Sequence, residues 1–271
     1  FVLHFLKMIG LIFGDTDLPL QILDKIKKNK IKYLIIDLSK SNKFLSNKNS
    51  YKTSIGEFGK IIKVLKDNNC KKVLFAGKIV KPKFSKLKLD LKALYYMPAL
   101  IRASKLGDAA ILKKIINILN KEKIKVINST FFNPELSFAK GNYTKIKPNK
   151  SDQKEILRGI KILNNSNPYS HSQGLIIRDN KVLVKESFKG TKKMILSINK
   201  KLKINSGILI KYPKKKQDLR IDLPTIGIET IKDCKKVGLK GIVLKSKQNI
   251  ILNKKKCIFF ANKNKMFINV Q

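Results

Sequence analysis

Short apolar runs separated by amphipathic stretches constrain this chain more than any other feature. Met8 to Phe13 is an apolar run closed by Gly14-Asp15-Thr16-Asp17. Leu18-Pro19 then opens an amphipathic segment to about Lys28, and Ile31 to Leu38 is a second apolar run that closes on Asp37. Such short runs predict buried strands, and the helical spacing between them predicts a helix. The order strand, loop, helix, strand, acid is that of a dinucleotide-binding unit. The glycine fingerprint is incomplete, because Gly10 and Gly14 stand four apart with no third glycine. Asp15 and Asp17 would also repel a bare pyrophosphate. The pattern therefore predicts a doubly wound sheet with an ordinary loop more than an NAD site.

The same grammar continues along the chain. Phe58, Ile61, Ile62 and Leu65 give a helix over Gly56 to Asp67, and Lys72 to Ala76 a strand ending on Gly77-Lys78. Ligands of open α/β sheets bind at the carboxyl ends of the strands, which places Lys78 where it can meet a phosphate or remain a solvated lysine. Helices are predicted over Leu91 to Lys105 and Asp108 to Lys121, and a strand over Ile124 to Asn128. Residues 134–150, rich in Asn, Lys, Gly and Pro, read as a linker. The expected organisation is thus two α/β domains, a Rossmann-like one over 8–133 and a second over 151–271. In the second, Ser151 is the expected cap of a helix to Leu163, and QGLIIRDNKVLVKES is a hairpin turning at Asp179-Asn180. Glu186 lies at its exit, and Gly190-Thr191 leads into a helix through Lys201. Gly207 to Tyr212 is a strand. Further strands are expected at Gly241–Leu244, Asn249–Leu252 and Met266–Val270, with helices over Ile228–Val237 and Lys254–Asn262.

Composition narrows the function. The chain carries 60 Lys and Arg against 18 Asp and Glu, a formal net charge of +42. Arg occurs only at Arg102, Arg158, Arg178 and Arg220, and the lysines are spread evenly among many Ile and Asn. Base readout favours Arg and single-strand binding favours exposed aromatics, neither of which clusters here, so no specific nucleic acid is expected. The field would still attract polyanionic substrates and anionic lipid surfaces. Three dispersed cysteines and two histidines, His4 and His171, speak against a disulfide framework, a zinc knuckle or a serine triad. Any metal would be a hard cation on oxygen ligands. FVLHFLK, ahead of Met8, is too short to span a membrane and lacks the basic start of a signal peptide, so a cytoplasmic chain is expected.

In a chain so poor in acid, KYPKKKQDLRIDLPTIG, from Lys211 to Gly227, stands out. Asp218, Arg220 and Asp222 alternate with Leu219, Ile221 and Leu223. In an extended strand that puts two carboxylates and a guanidinium on one face. Such a face, beside a helix N-terminus, can hold a divalent cation with a phosphate, or be a solvated charge ladder.

With these residues set out, the chain resembles the LpxI family of UDP-2,3-diacylglucosamine pyrophosphatases from Met8 onward. The resemblance is carried by GLIFGDTDLP (Gly10 to Pro19), IGEFGKIIKVLK (Ile55 to Lys66), VLFAGKIVKPKF (Val73 to Phe84), Gln173-Gly174, Gly190-Thr191 and QDLRIDLPTIG (Gln217 to Gly227). It implies two α/β domains with the substrate between them, and Mg²⁺-dependent hydrolysis of UDP-2,3-diacylglucosamine to UMP and lipid X in lipid A synthesis. It also implies a peripheral place on the cytoplasmic face of the inner membrane, and leaves a homodimer open. On this resemblance Asp222 and Asp218 are the catalytic and metal-binding acids. Arg220, Lys78 and Lys211 neutralise phosphate, and Gly14, Asp15, Thr16, Gln173 and Thr191 contact substrate. The chain departs from the family pattern in three places. Asp15 and Thr16 stand where the family has glycines, and Ala109 where it has an acid. Lys192 stands where it has an acid after Gly-Thr, which makes Glu186 the candidate replacement metal ligand. The rival expectations are a non-catalytic nucleotide- or nucleic-acid-binding protein and an NAD-dependent oxidoreductase built on the first half.

Overall fold

The computed structural model describes residues 8–79, 87–166, 172–198, 205–214 and 217–271. Expectations for residues 1–7, for the end of the Val73–Phe84 motif, for the distal end of the helix through Lys201 and for both histidines lie outside these residues. The chain divides into two units. The first runs to Pro134 and includes Arg220–Asp222, and the second comprises Glu135–Leu219 and Leu223–Gln271.

The first unit is built from β1 (Ile9–Phe13), α1 (Leu18–Lys28), β2 (Tyr33–Asp37), β3 (Ser50–Lys52), α2 (Phe58–Asp67), β4 (Lys72–Ala76), α3 (Leu91–Lys105), α4 (Asp108–Lys121) and β5 (Lys125–Ile127). All five strands run parallel in the order β3-β2-β1-β4-β5. Parallel strands need crossover helices on both faces, which is why β1 is apolar throughout and buried at every position. Ile61, Ile62 and Leu65 of α2 and Ile116 and Leu119 of α4 pack against Ile12, Leu34, Ile36, Val73 and Val126 of the strands. Ile221 adds to this core from its distant place in the sequence. The order is that of a dinucleotide-binding sheet, and the connections diverge between β1 and β4.

In the second unit, a 3-10 turn at Pro134–Leu136 leads to β6 (Gly141–Asn142), α5 (Lys150–Asn164), β7 (Gly174–Arg178), β8 (Lys181–Lys185), α6 (Gly190–Leu196) and β9 (Ile208–Lys211). There follow β10 (Thr225–Ile226), α7 (Ile228–Lys236), β11 (Gly241–Leu244), β12 (Ile250–Ile251), α8 (Lys254–Lys263) and β13 (Phe267–Val270). The main sheet has the order β6-β13-β11-β9-β7-β8, and β10 and β12 form a small parallel pair. Strands β9, β11 and β13 are parallel, while β7, β8 and β6 are antiparallel to their neighbours. Strand alternation sorts the core onto two faces. Ile176, Leu209, Ile242 and Ile268 meet Ile195, Ile231 and Cys257 of the helices, and Leu175, Ile210, Val243 and Phe267 meet Ile156 of α5. Asp179 and Asn180 turn the β7–β8 hairpin with φ 48° and 56°, the two positive values that a tight hairpin with right-twisted strands requires.

Several expectations are corrected. Residues 218–223 are not a strand: Leu219–Ile221 form a turn, and Leu219 and Ile221 are only half-buried. The alternation of Asp218, Arg220 and Asp222 therefore does not line up one face of a sheet. The cap of α5 is Asn149 rather than Ser151. Its side chain accepts from the Asp152 amide at 2.8 Å, and Asp152 accepts from the Asn149 amide at 3.0 Å, a reciprocal capping box. Residues 134–150 are not plain linker, since Phe138 is buried in the second core and Gly141–Asn142 pairs with β13. α6 closes at Leu196.

Candidate functional site

In the first unit the divergence between β1 and β4 gathers four of the expected residues. Gly14, Asp15 and Thr16 leave β1, and Lys78 leaves β4 directly after Gly77. The backbones of Asp15 and Lys78 pair, each amide donating to the other's carbonyl at 2.8 and 2.7 Å. This pairing fixes the glycines. A Cβ on Gly14 would stand 2.5 Å from the Lys78 carbonyl oxygen, and Gly77 has φ 87° with the Asp15 oxygen 2.5 Å from any added Cβ. The Asp15 carboxylate accepts from the amides of Lys40 and Ser41, both at 3.2 Å. The Lys40 amide first, then Ser41, holds its pKa below the ordinary carboxylate value. Thr16 has φ 103°, a conformation that a β-branched residue adopts only under strain. Asp37, at the end of β2, is fully buried and accepts from the Ser39 amide at 2.8 Å and from Lys52 Nζ at 3.2 Å. Those bonds take up the acid that a nicotinamide-dinucleotide enzyme offers to a ribose.

In the second unit a denser cluster forms where β9 ends. Lys211 pairs in register with Gly174 of β7, and the Glu186 amide donates to the Gly174 carbonyl at 2.8 Å. The hairpin thus delivers Glu186 beside Lys211. Lys211 Nζ lies 3.3 Å from both Glu186 carboxylate oxygens, and it donates to Thr191 Oγ1 at 2.5 Å. The Thr191 hydroxyl in turn donates to Glu186 Oε1 at 2.5 Å. With 4% and 7% side-chain exposure, Lys211 and Glu186 form a buried, hydrogen-bonded ion pair. Gln173 adjoins them, its carbonyl accepting from the Tyr212 amide at 2.8 Å.

The structure adds residues that sequence reasoning passed over. Asn249 is buried; its amide group donates to the Lys211 carbonyl at 3.1 Å, and its carbonyl accepts from the Lys245 amide at 2.8 Å. It ties β9 to the loop after β11. Its only sequence signal was an Asn among many. Tyr212 is buried, and burial pushes its hydroxyl up to about 12. Gln217 is also buried. Its Oε1 accepts from the Lys214 amide at 2.9 Å, and its Nε2 has no hydrogen-bond partner among the described residues.

The remaining expected residues occupy the Gln217–Asp222 stretch. Asp218 belongs with the second unit, and Arg220 and Asp222 with the first. Asp218, Arg220 and Asp222 are half-buried. The fit to a divalent cation can be judged from the donors. Asp218 and Asp222 offer the carboxylate oxygens that a hard cation takes. Glu186 does not fit, because both its oxygens already face an ammonium. No group of three or more His, Cys, Asp or Glu side chains suited to a metal is present among the described residues. Lys192, which prompted the search for a replacement ligand, is exposed on α6.

A five-stranded parallel sheet of dinucleotide-binding order, followed by a mixed sheet that buries a Lys–Glu–Thr cluster, defines a two-unit α/β protein with charged side chains at its strand ends. The chain belongs to the LpxI family: the LpxI N-terminal domain matches residues 8–136 and the LpxI C-terminal domain residues 139–269. It is 28% identical over 271 residues to the UDP-2,3-diacylglucosamine pyrophosphatase LpxI of Caulobacter vibrioides, with 97% of each chain covered.

Proposed function

We propose that this chain hydrolyses the pyrophosphate of UDP-2,3-diacylglucosamine to UMP and lipid X, with Mg²⁺, at the cytoplasmic face of the inner membrane. The observation that carries this reading is the family match along both units, joined to the substrate named for the Caulobacter relative. In the reaction a water oxygen bonds to one phosphorus as the bridging P–O bond breaks, and the bridging oxygen leaves on the other phosphate. Charge grows on the phosphoryl oxygens, so positioned cations and an oriented water supply most of the catalysis. Asp222 orients the water and accepts its proton, with Asp218 as its helper. Arg220, Lys78 and Lys211 neutralise phosphate. Gly14, Asp15, Thr16, Gln173 and Thr191 shape the substrate's seat. Asp218 and Asp222 would hold Mg²⁺, which when bound neutralises phosphate charge. Glu186 is assigned a positioning role: it and the Thr191 hydroxyl fix the direction of the Lys211 ammonium.

The test is release of UMP from UDP-2,3-diacylglucosamine by the purified chain, with Mg²⁺ and with EDTA. Hydrolysis that requires Mg²⁺, and falls at least ~10²-fold in a folded Asp222→Ala variant, is expected for loss of a positioned acid–base group. No UMP from a folded wild-type chain would overturn the reading.

A further inference from the structure

Helix α3 presents its apolar residues outward. Leu91, Leu94, Tyr95, Ile101 and Leu106, just past its end, are all exposed, Leu91 to 88% and Tyr95 to 77%. Leu94 and Tyr95 follow Leu91 by three and four residues and Ile101 follows Leu94 by two helical turns, so at 3.6 residues per turn the set falls on one broad face of the helix. The opposite face is the one that packs: Ala93 is buried, Tyr96 and Leu100 join the first unit's core, and Tyr96 meets Phe58 edge-on at 6.4 Å. Pro98, also exposed, interrupts the outer face. An amphipathic helix normally buries its large aliphatic side and shows its small or polar side. Here Ala93, Tyr96 and Leu100 are inward, and Leu91, Leu94, Tyr95 and Ile101 are left to solvent. A stripe of this extent marks a docking surface rather than scattered surface leucines.

The charges around it say what docks. Arg102 and Lys105 lie on the same stripe, Lys88 is exposed just ahead of the helix, and no acid occurs within α3. Basic residues beside exposed Leu and Tyr suit a helix lying in the headgroup region of an anionic bilayer, with the long basic side chains reaching to lipid phosphates. A second copy of the chain is a poor occupant. Symmetric pairing would bring the same cations together, and each copy carries a formal net charge of +42. We propose that the outward face of α3 docks the protein onto an anionic lipid surface. This deepens the reading of a lipid substrate by assigning the element that holds the protein at the membrane, and vesicle binding tests it without that substrate.

The chain has no Trp, so a single Tyr95→Trp variant carries one fluorophore on the proposed face. Leu157→Trp places one on α5, at a solitary exposed leucine, as the control. On vesicles of phosphatidylcholine with phosphatidylglycerol, Tyr95→Trp emission should shift to the blue and be quenched by brominated acyl chains, while Leu157→Trp stays unchanged. Leu94→Ser with Tyr95→Ser should lower vesicle partitioning at least ~10-fold, the scale of two apolar side chains withdrawn from a membrane interface. Both residues are exposed, and an unchanged circular dichroism spectrum confirms the fold. Equal blue shifts at both fluorophores would show adhesion by charge alone and overturn the proposal. So would unaltered partitioning of the double variant, or sedimentation showing that the substitutions dissociate a dimer and leave vesicle binding intact. Loss of vesicle binding with hydrolysis of detergent-dispersed substrate retained would support the docking role. Vesicle binding through α3 without any hydrolysis would refute the enzymatic reading alone.

Discussion

Replacing Thr16 by Gly should stabilise the first unit. Thr16 sits at φ 103° and is exposed, so the substitution relieves the backbone while removing no buried contact. A non-glycine residue held in such a conformation costs about 1–3 kcal/mol. Glycine gives part of this back, about 0.4–1 kcal/mol, through the greater freedom of the unfolded chain. The net gain is about 1–2 kcal/mol, or roughly 3–8 °C in Tm for a unit of this size. Calorimetry is the suitable assay, and the unfolding of the first unit should move to higher temperature. Thr16→Ala is the control. It removes the hydroxyl and methyl but keeps the Cβ that creates the strain, so it should gain little. An unchanged or lower Tm for Thr16→Gly, or an equal gain for Thr16→Ala, would refute the reasoning.

Lys211→Met should cost about 3 kcal/mol or more, because it strands the buried Glu186 carboxylate. Combining it with Glu186→Leu should recover most of that stability but none of the hydrolysis, as chemical denaturation and UMP release would show. Acid titration of unfolding should reveal a contribution from Glu57, whose pKa is lowered from 4.5 to about 2, first by the Ser54 amide and then by Thr53 and Lys60. A depressed folded-state value means that its contribution is complete above 4.5 and is lost as pH falls towards 2. Glu57→Gln should therefore flatten that part of the profile. Cys70, Cys234 and Cys257 are buried, and burial raises all three thiols, Cys70 and Cys257 to about 11. An aromatic disulfide reagent at pH 8 should leave the native chain untouched and titrate three thiols after denaturation.

The fold was legible wherever one periodicity held over a whole element. Lys72–Ala76, Leu91–Lys105, Asp108–Lys121 and Gly241–Leu244 form as the sequence predicts, residue for residue. Ser50–Lys52 was not legible, because an exposed edge strand of Ser, Tyr and Lys has no buried face to impose an apolar rhythm. The alternation at Leu219, Ile221 and Leu223 misled for the opposite reason. Those side chains turn apolar towards different surroundings, with Ile221 in the first core and Leu223 buried in the second unit. A turn can produce period two without a sheet. At the candidate site, Lys211 and Glu186 were picked out one by one, but not as a pair. Their meeting depends on the register that sets Gly174 opposite Lys211, which no local spacing encodes.

That register belongs to a sheet assembled in a particular order. Beyond the β7–β8 hairpin, β9, β11 and β13 join the main sheet in chain order on the free side of β7, so the sheet grows steadily from one side. β6 is the exception: it comes first in sequence yet, among the described residues, pairs with β13 alone, joining Gly141 to Val270 and Asn142 to Asn269. The Thr144 hydroxyl, which accepts from the Ile268 amide at 2.9 Å, depends on the same late arrival. Closing so long a loop is slow compared with forming the local hairpin. Until β13 is in place, β11 offers an open apolar edge, and nascent or refolding chains at high concentration will pair there with one another.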